Sequence, residues 1–370
     1  MQDSLVNLPH RSIAVVLGTR PEIIKLAGIV RALGDAAVVI HTGQHYDASL
    51  SDVFFEQFGM RPPDHHIAIG GSTRGNQIGT AVSELDALFR EIDPLGVVVQ
   101  GDTNTVVAGA LAANANEIPI AHVEAGLRSF DRAMPEEHNR VVADHLADVC
   151  LAPTEVSVAN LTAENIPDER VVLTGNTIVE AVERLMPSSD ERRAIIAEAG
   201  VTRGAYVLAT FHRPENVDDS DNLEKILTEL AELSVPTVLP MHPRTVARVT
   251  EFGLESLLAE ITSVDPIGYR EFLSLGAESS LVVSDSGGVQ EEVSIYKRPL
   301  IVVRNSTERP EVLGTFAELV EPGPGIRTIA ESWLEDIEAV HTRLAGLPSP
   351  YGDATSVNRS VEAIEGHLHA

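Results

Sequence analysis

Residues 284–292 read Ser-Asp-Ser-Gly-Gly-Val-Gln-Glu-Glu and follow the apolar run Leu281-Val282-Val283. Gly287 and Gly288 at the start of a helix let backbone amides approach a ligand closely. The free N–H groups and the helix dipole there favour a phosphate. Glu292 lies six residues past Ser286, which is roughly 9 Å along a helix at its usual rise. That separation suits a diphosphate at the helix start and a ribose diol accepted by Glu292. The same residues also read as a Gly-rich turn followed by a solvated Glu-Glu pair. Neither a GxxxxGK[ST] loop nor a GxGxxG fingerprint occurs in the chain. A nucleotide diphosphate with something attached is therefore indicated, not a P-loop nucleotide or a tightly bound NAD.

Other short apolar runs end in ionisable residues too. Ile13–Leu17 leads into Gly18-Thr19-Arg20-Pro21-Glu22, with Lys25 just beyond. Val97–Gln100 leads into Gly101-Asp102-Thr103, and Ile118–Val123 into Glu124-Ala125-Gly126-Leu127-Arg128. In the second half come His212-Arg213-Pro214-Glu215-Asn216, His242-Pro243-Arg244, and Arg304 leading to Glu308-Arg309-Pro310-Glu311. Several of these have plain structural readings. Thr19 and Glu22 have capping-box spacing, with Pro21 tolerated in a first helical turn. Lys25 suits a surface ion pair with Glu22, Asp102 a helix N-cap, and His212 a satisfied core histidine. Arg20 is not covered by such readings, because its charge opposes the helix dipole unless an anion neutralises it. Glu124 directly follows the buried-looking IPIAHV, and Arg213 beside His212 weakens the core reading. So many charged ends, in both halves, suggest two faces lining one cleft.

The elements that hold these residues follow one rhythm. Apolar runs alternate with longer helical stretches: Ile13–Leu17, Val38–Thr42, Val97–Gln100, Ile118–Val123, Val149–Ala152 and Val171–Thr174, then Tyr206–Phe211, Thr237–Met241, Leu281–Ser284 and Leu300–Val303. Apolar strands separated by helices make parallel sheets covered on both faces. Two such series predict an α/β protein of two doubly wound, Rossmann-like domains, over 1–176 and 177–350. The segment 351–370 is expected to form a helix that packs back on the first domain. In doubly wound folds ligands sit at the C-terminal ends of strands, where the charged residues fall.

Composition narrows the partners. The 370 residues are 44% hydrophobic and 22% charged, with a mean hydropathy of +0.05 and a net charge of −28. That is a globular composition whose acidity disfavours nucleic acid and anionic membranes. One cysteine, Cys150, lies in the apolar VCLA and reads as a buried thiol. No signal peptide, membrane span or Cys/His zinc pattern is evident, so the cytoplasm and a metal-free protein are expected. Lys25, Lys225 and Lys297 are the only lysines, which leaves most cationic chemistry to arginine and histidine.

The strings GTRPEIIK, QGDTNT, HVEAGLRS, PEEHNR, GNT, HRPEN, SDSGGVQEE, TERPE and PYGD occur in one order along the chain. From about Ile13 to the C-terminal helix the chain thereby resembles the non-hydrolysing UDP-N-acetylglucosamine 2-epimerases. HRPENVD and TGQHYD look more like archaeal and actinobacterial members than enteric ones. The resemblance implies a glycosyltransferase-B type fold, UDP in an interdomain cleft, a homodimer and no cofactor. It assigns catalytic roles to Lys25, Asp102, Glu124, Glu136, Arg140 and His212. It assigns UDP or substrate binding to Arg20, Arg128, Phe272, Ser286, Gly287, Gly288, Glu292 and Arg309. A second, activating substrate site known in some relatives would correspond to Gln44, Arg74, Glu137, Arg213 and His242.

The implied reaction inverts C2 of UDP-GlcNAc to give UDP-ManNAc. No carbonyl adjoins C2, so simple deprotonation is too costly. Similar enzymes eliminate UDP across C1–C2 to 2-acetamidoglucal and add it back on inversion. A carboxylate takes and returns the C2 proton, and Arg20, His212 and the Ser286–Gly288 helix start are expected to stabilise charge on the departing diphosphate. Two alternatives stand beside this. A hydrolysing relative would release ManNAc and UDP, but such relatives often carry GDR where this chain has Gly101-Asp102-Thr103. A glycosyltransferase of the same fold would need an acceptor groove.

Overall fold

A computed structural model describes residues 12–44 and 55–368. His45, Tyr46 and Asp47 of TGQHYD lie outside the described residues. Most of the β-branched runs form buried strands, fully so in IAVVL of β1 (Ile13–Leu17) and LIVV of β12 (Leu300–Val303). The first sheet also contains β2 (Ala37–His41), β3 (His65–His66), β4 (Gly96–Gln100), β5 (Ile120–Val123), β6 (Val149–Ala152) and β7 (Val171–Leu173). The second contains β8 (Val207–Thr210), β9 (Thr237–Pro240), β10 (Thr262–Val264), β11 (Leu281–Ser284), β12 and β13 (Ala317–Val320). Their orders are β3-β2-β1-β4-β5-β6-β7 and β10-β9-β8-β11-β12-β13, and the pairs are parallel, as Val15 beside Val39 and Val283 beside Ile301 show. These are the two doubly wound parallel sheets expected for a glycosyltransferase-B type fold.

Three strands were not foreseen: β3, β10 and β13. Each is short, sits at or next to a sheet edge, and has mixed burial, so it has no apolar run to announce it. The run from Ile118 starts as a strand only at Ile120, because Pro119 has no N–H to give to a ladder.

Strand order reverses between β1 and β4 in the first sheet and between β8 and β11 in the second. Those are the crevices where doubly wound folds bind ligands. Arg20, Lys25 and Asp102 follow β1 and β4; His212 and Ser286 follow β8 and β11. The core of each sheet is a set of inward Val, Ile, Leu and Ala side chains, such as Val16, Val99, Val106 and Leu85 in the first and Leu208, Val283 and Ile301 in the second. The Asn104–Ala115 helix is apolar nearly all round because it is covered on most sides, and Gly109 admits it onto Val99 and Val16.

The chain divides into one unit of Met1–Ala181 with Tyr351–Ala370 and another of Val182–Pro350; the division falls inside the Ile178–Leu185 helix. The terminal helix Ser356–Leu368 returns to the first unit. A Cβ on Gly28 of the Arg20–Leu33 helix would stand 2.6 Å from Val357 Cγ2. Ser356 Oγ donates to Asn176 C=O (3.0 Å) and Arg359 Nε to Thr174 C=O (2.8 Å). Among the described residues no helix is long and apolar enough to cross a membrane. Cys150 is buried, and burial pushes its thiol up to about 12.

Candidate functional site

The ends of β1, β4 and β5 bring one set of acids and cations together. Thr19 and Glu22 do not form the capping box that their spacing allows. Thr19 is the N-cap of the Arg20–Leu33 helix, but its hydroxyl accepts no backbone N–H. Glu22 instead accepts the Gly18 N–H (3.0 Å) and the Thr103 hydroxyl (2.9 Å), tying the end of β1 to that of β4. Burial raises its carboxyl to about 7, against the pull of those donors. Lys25 does not pair with Glu22. Its ammonium contacts Glu124, which is 99 residues away, and both are buried. Asn176 Nδ2 donates to the same Glu124 oxygen at 3.0 Å.

Glu124 stands at φ 67°, a left-handed conformation that non-glycine residues adopt rarely and at a cost. Its N–H and that of Ala125 both donate to the Leu151 carbonyl (3.1 Å each). Gly126 completes the turn at φ 83°, where a Cβ would meet the Ser157 carbonyl oxygen at 2.4 Å. A Cβ at Gly101 would lie 4.0 Å from Glu124 Oε1, so the Glu124 carboxylate faces the start of the Asp102 turn.

Asp102 is not a helix cap. Thr103 caps the Asn104–Ala115 helix, accepting the Val106 N–H at 3.4 Å. Asp102 Oδ2 accepts from Arg140 Nε (2.9 Å) and Nη2 (2.5 Å), while Asn139 Nδ2 holds its carbonyl (2.8 Å). Arg140 comes from the Pro135–Leu146 helix, whose first turn carries Glu136 and Glu137. Glu137 accepts the N–H groups of Ser129 and Phe130 (2.9 Å each) and pairs with Arg140 (2.6 Å). Glu136 is half-buried, and its carboxylate has no hydrogen-bond or ion-pair partner among the described residues.

In the second unit His212 is not a core residue: its side chain is 42% exposed, and Nδ1 lies 3.3 Å from Asp285 Oδ1. Asp285 is fully buried and also accepts the Arg213 N–H (3.0 Å) and Asn216 Nδ2 (3.1 Å). Burial works against its charge, yet His212 and these donors hold its carboxyl below the usual range. Ser286 is the N-cap of the Gly287–Tyr296 helix, and its hydroxyl caps no backbone N–H. The first amides of that helix therefore have no side-chain cap, as an anion site requires.

The two glycines differ. A Cβ on Gly287 would stand 2.7 Å from Arg309 Nη1 and 3.0 Å from Glu308 Oε1, so this glycine makes room for a buried ion pair. At Gly288 a Cβ would make only ordinary contacts, 3.9 Å from Glu292 Oε1 and 4.0 Å from Ser286 Oγ, so this position has room. Glu291 and Glu292 are both buried, contrary to a solvated pair. Glu291 holds Arg309 Nε (2.7 Å), and Glu292 accepts the Tyr269 hydroxyl (2.8 Å). Phe272, three residues along the Tyr269–Glu278 helix, is half-buried.

Several expected residues have internal partners. Arg128 is 3% exposed; its guanidinium is engaged by Glu164 (2.7 Å twice), Asp144 (2.7 Å) and its neighbouring carbonyl. Its guanidinium is thus engaged by internal partners in this structure. Gln44 Oε1 accepts from the Thr105 N–H and hydroxyl (3.0 Å each). Arg74 reaches Asn139 (2.7 Å) and the Pro135 carbonyl (3.2 Å). Arg213 lies 3.5 Å from Glu215, and His242 caps the Pro243–Phe252 helix by accepting the Arg244 N–H (3.2 Å). Arg20 is half-buried at the first position of its helix. The reading of single residues missed Glu22, Asn176, Tyr269 and Asp285. GNT and SDSGG contain two of them; nothing in local spacing marks Tyr269.

A sequence model of UDP-N-acetylglucosamine 2-epimerases matches residues 32–365. The chain is 39% identical over 364 residues to the UDP-N-acetylglucosamine 2-epimerase of Methanocaldococcus jannaschii, covering 95% of this chain and 98% of that one. A crystal structure of that enzyme in complex with UDP-GlcNAc and UDP matches with a TM-score of 0.85 over 96% and 99% of the two chains. The Neisseria meningitidis enzyme bound to UDP-GlcNAc matches at 0.86, with 29% identity over 96% and 100%. A UDP-2,3-diacetamido-2,3-dideoxy-D-glucuronate 2-epimerase of Pseudomonas aeruginosa is 37% identical over 317 residues, 83% of this chain and 87% of that one.

Proposed function

The chain belongs to the UDP-N-acetylglucosamine 2-epimerase family, and on that premise we propose that it interconverts UDP-GlcNAc and UDP-ManNAc. The observation that carries the substrate is the 39% identity, over nearly the whole of both chains, to an epimerase solved with UDP-GlcNAc and UDP. Two sets of residues divide the work. Ser286, Gly288 and the uncapped amides of the Gly287–Tyr296 helix take the diphosphate, Glu292 the ribose hydroxyls, and Phe272 the uracil. His212, held by Asp285, and Arg20 balance charge on the departing diphosphate. Asp102, Glu124 and Glu136 serve proton transfer at C2. The C2–H proton passes to a carboxylate as the C1–O bond breaks, leaving 2-acetamidoglucal and UDP. Re-addition of UDP at C1 with protonation of the opposite face of C2 gives the epimer. Glu136 takes up a proton without breaking an ion pair; Lys25 and Arg140 keep Glu124 and Asp102 in place.

Incubation with UDP-GlcNAc alone is expected to yield UDP-ManNAc, with deuterium at C2 when the solvent is heavy water. Free ManNAc plus UDP would identify a hydrolase, and no conversion would favour a transferase. The Pseudomonas relative motivates a parallel incubation with UDP-2,3-diacetamido-2,3-dideoxy-glucuronate. Faster turnover there would move the substrate to that sugar. The protein is further proposed to be a cytoplasmic homodimer, for which light scattering should give the mass of two chains.

A further inference from the structure

We propose that His122 and Asp144 form a positioning pair that fixes the two turns carrying Asp102 and Glu124. The inference rests on the epimerase reading for its kinetic test, but its geometry stands apart from it. His122 lies on β5 and Asp144 on the Pro135–Leu146 helix, and both are fully buried. His122 Nδ1 is 2.6 Å from Asp144 Oδ1, and its Nε2 is 2.8 Å from the Gly101 carbonyl at the end of β4. The second Asp144 oxygen accepts the Gly126 N–H at 3.1 Å and pairs with Arg128 at 2.7 Å. Asp144 thus grips residues 122 and 126, two positions before and two after Glu124. Through the imidazole it also reaches the residue preceding Asp102.

Both ring nitrogens face acceptors. A neutral ring would present a lone pair to one of them at hydrogen-bond distance, so both nitrogens donate. Burial alone would discharge such a ring, but Asp144 and the Gly101 carbonyl offset it, and the His122 pKa lies above the usual histidine value. Buried Arg128 extends the pair to the partly exposed Glu164, giving two cations and two carboxylates. Neither His122 nor Asp144 meets the reacting atoms. They act by holding backbone, and a misplacement of about 1 Å in such turns costs on the order of 100-fold in rate.

The two amide replacements of His122 separate positioning from bulk stability. A Gln places its donor where Nε2 was, toward Gly101; an Asn places its donor where Nδ1 was, toward Asp144. Both variants are expected to melt lower by similar amounts and to bind UDP within about threefold of wild type, because the proposed UDP residues lie elsewhere in the sequence. For UDP-GlcNAc epimerisation, kcat should fall by about 10- to 100-fold in His122→Asn with KM little changed, and His122→Gln should keep at least about threefold more. Wild-type kcat in the folded Asn variant, or equal losses in both variants, would overturn the proposal. Should neither variant fold, nitrogen NMR of the histidine-labelled wild-type protein decides. Two protonated nitrogens on the His122 ring at pH about 7.5 support the pair, and a neutral ring there overturns it. That reading needs no turnover, so inactivity of the wild type on UDP-GlcNAc would count against the proposed function alone.

Discussion

Glu22 is buried, and its environment holds its proton more tightly than that of an ordinary carboxyl. Its carboxyl is raised from 4.5 to about 7 by burial, so the folded protein keeps a proton that the unfolded chain releases between those values. The stability it contributes is therefore full below about pH 4.5 and lost as pH rises through about 7. Glu22→Gln removes this titration, and the melting temperature of the variant relative to wild type should rise from about pH 5 to about pH 8. A difference that stays constant over that range would return Glu22 to an ordinary carboxylate. Glu124 presents a different problem, because its partner is also buried. Glu124→Gln should lower turnover by ~100-fold or more while UDP affinity stays within a few-fold. It also leaves the Lys25 ammonium without its carboxylate, and breaking a buried pair typically costs ~3–5 kcal/mol. Melting temperature alone therefore does not separate catalysis from structure. Adding Lys25→Met to Glu124→Gln removes the buried ammonium that faced the lost carboxylate and should restore part of the melting temperature but none of the turnover. Recovery of both would make the pair structural.

Two helices set the site, and each breaks the usual amphipathic pattern. Pro135–Leu146 turns Glu137, Arg140 and Asp144 inward, at i, i+3 and i+7 on one face. Each holds a different turn: the Ser129–Phe130 loop, Asp102, and the Glu124 turn. A buried charged stripe where an apolar one is expected was the available sign that this helix organises a site. In the Gly287–Tyr296 helix the adjacent glycines answer to different constraints. Gly287→Ala drives a methyl group into Arg309 and Glu308 and should lower the melting temperature as well as UDP affinity. Gly288→Ala has room, so stability should be nearly unchanged while UDP binding weakens. Calorimetric UDP titration and thermal melts on the two variants give the comparison. Normal UDP affinity in Gly288→Ala would remove the diphosphate from this helix start.

At the scale of the molecule, the chain builds the same doubly wound order twice and then returns to its first unit. The returning helix is seated through glycines: Gly28 meets Val357, and Gly96 meets Leu368, where a Cβ would stand 2.3 Å from Leu368 Cδ1. Gly28→Val should lift the Ser356–Leu368 helix off the Arg20–Leu33 helix. An overpacking cost of ~1–3 kcal/mol corresponds to a melting temperature lower by roughly 2–10 °C, with faster proteolysis within residues 355–368. An unchanged melt and protease pattern would show that the terminal helix adds little to the fold.

The sequence by itself determined which segments become buried strands and which residues stand at their ends. Both are local properties, since β-branched apolar runs require burial on both faces, and the charged strings follow them without a break. The family's motifs were legible for the same reason: the residues of QGDTNT, PEEHNR and SDSGGVQEE are contiguous. Only the tertiary structure decided which strand ends adjoin and what each charge meets. Sequence spacing allowed a pairing of Lys25 with Glu22, a helix N-cap at Asp102 and a core place for His212, and could not choose between these and a site. The fold instead joins Lys25 to Glu124, Asp102 to Arg140 and His212 to Asp285. Strand order and long-range ion pairs depend on the packing of segments tens of residues apart. No local periodicity records that, as the edge strands, Tyr269 beneath Glu292, and the inward-facing Asp144 show.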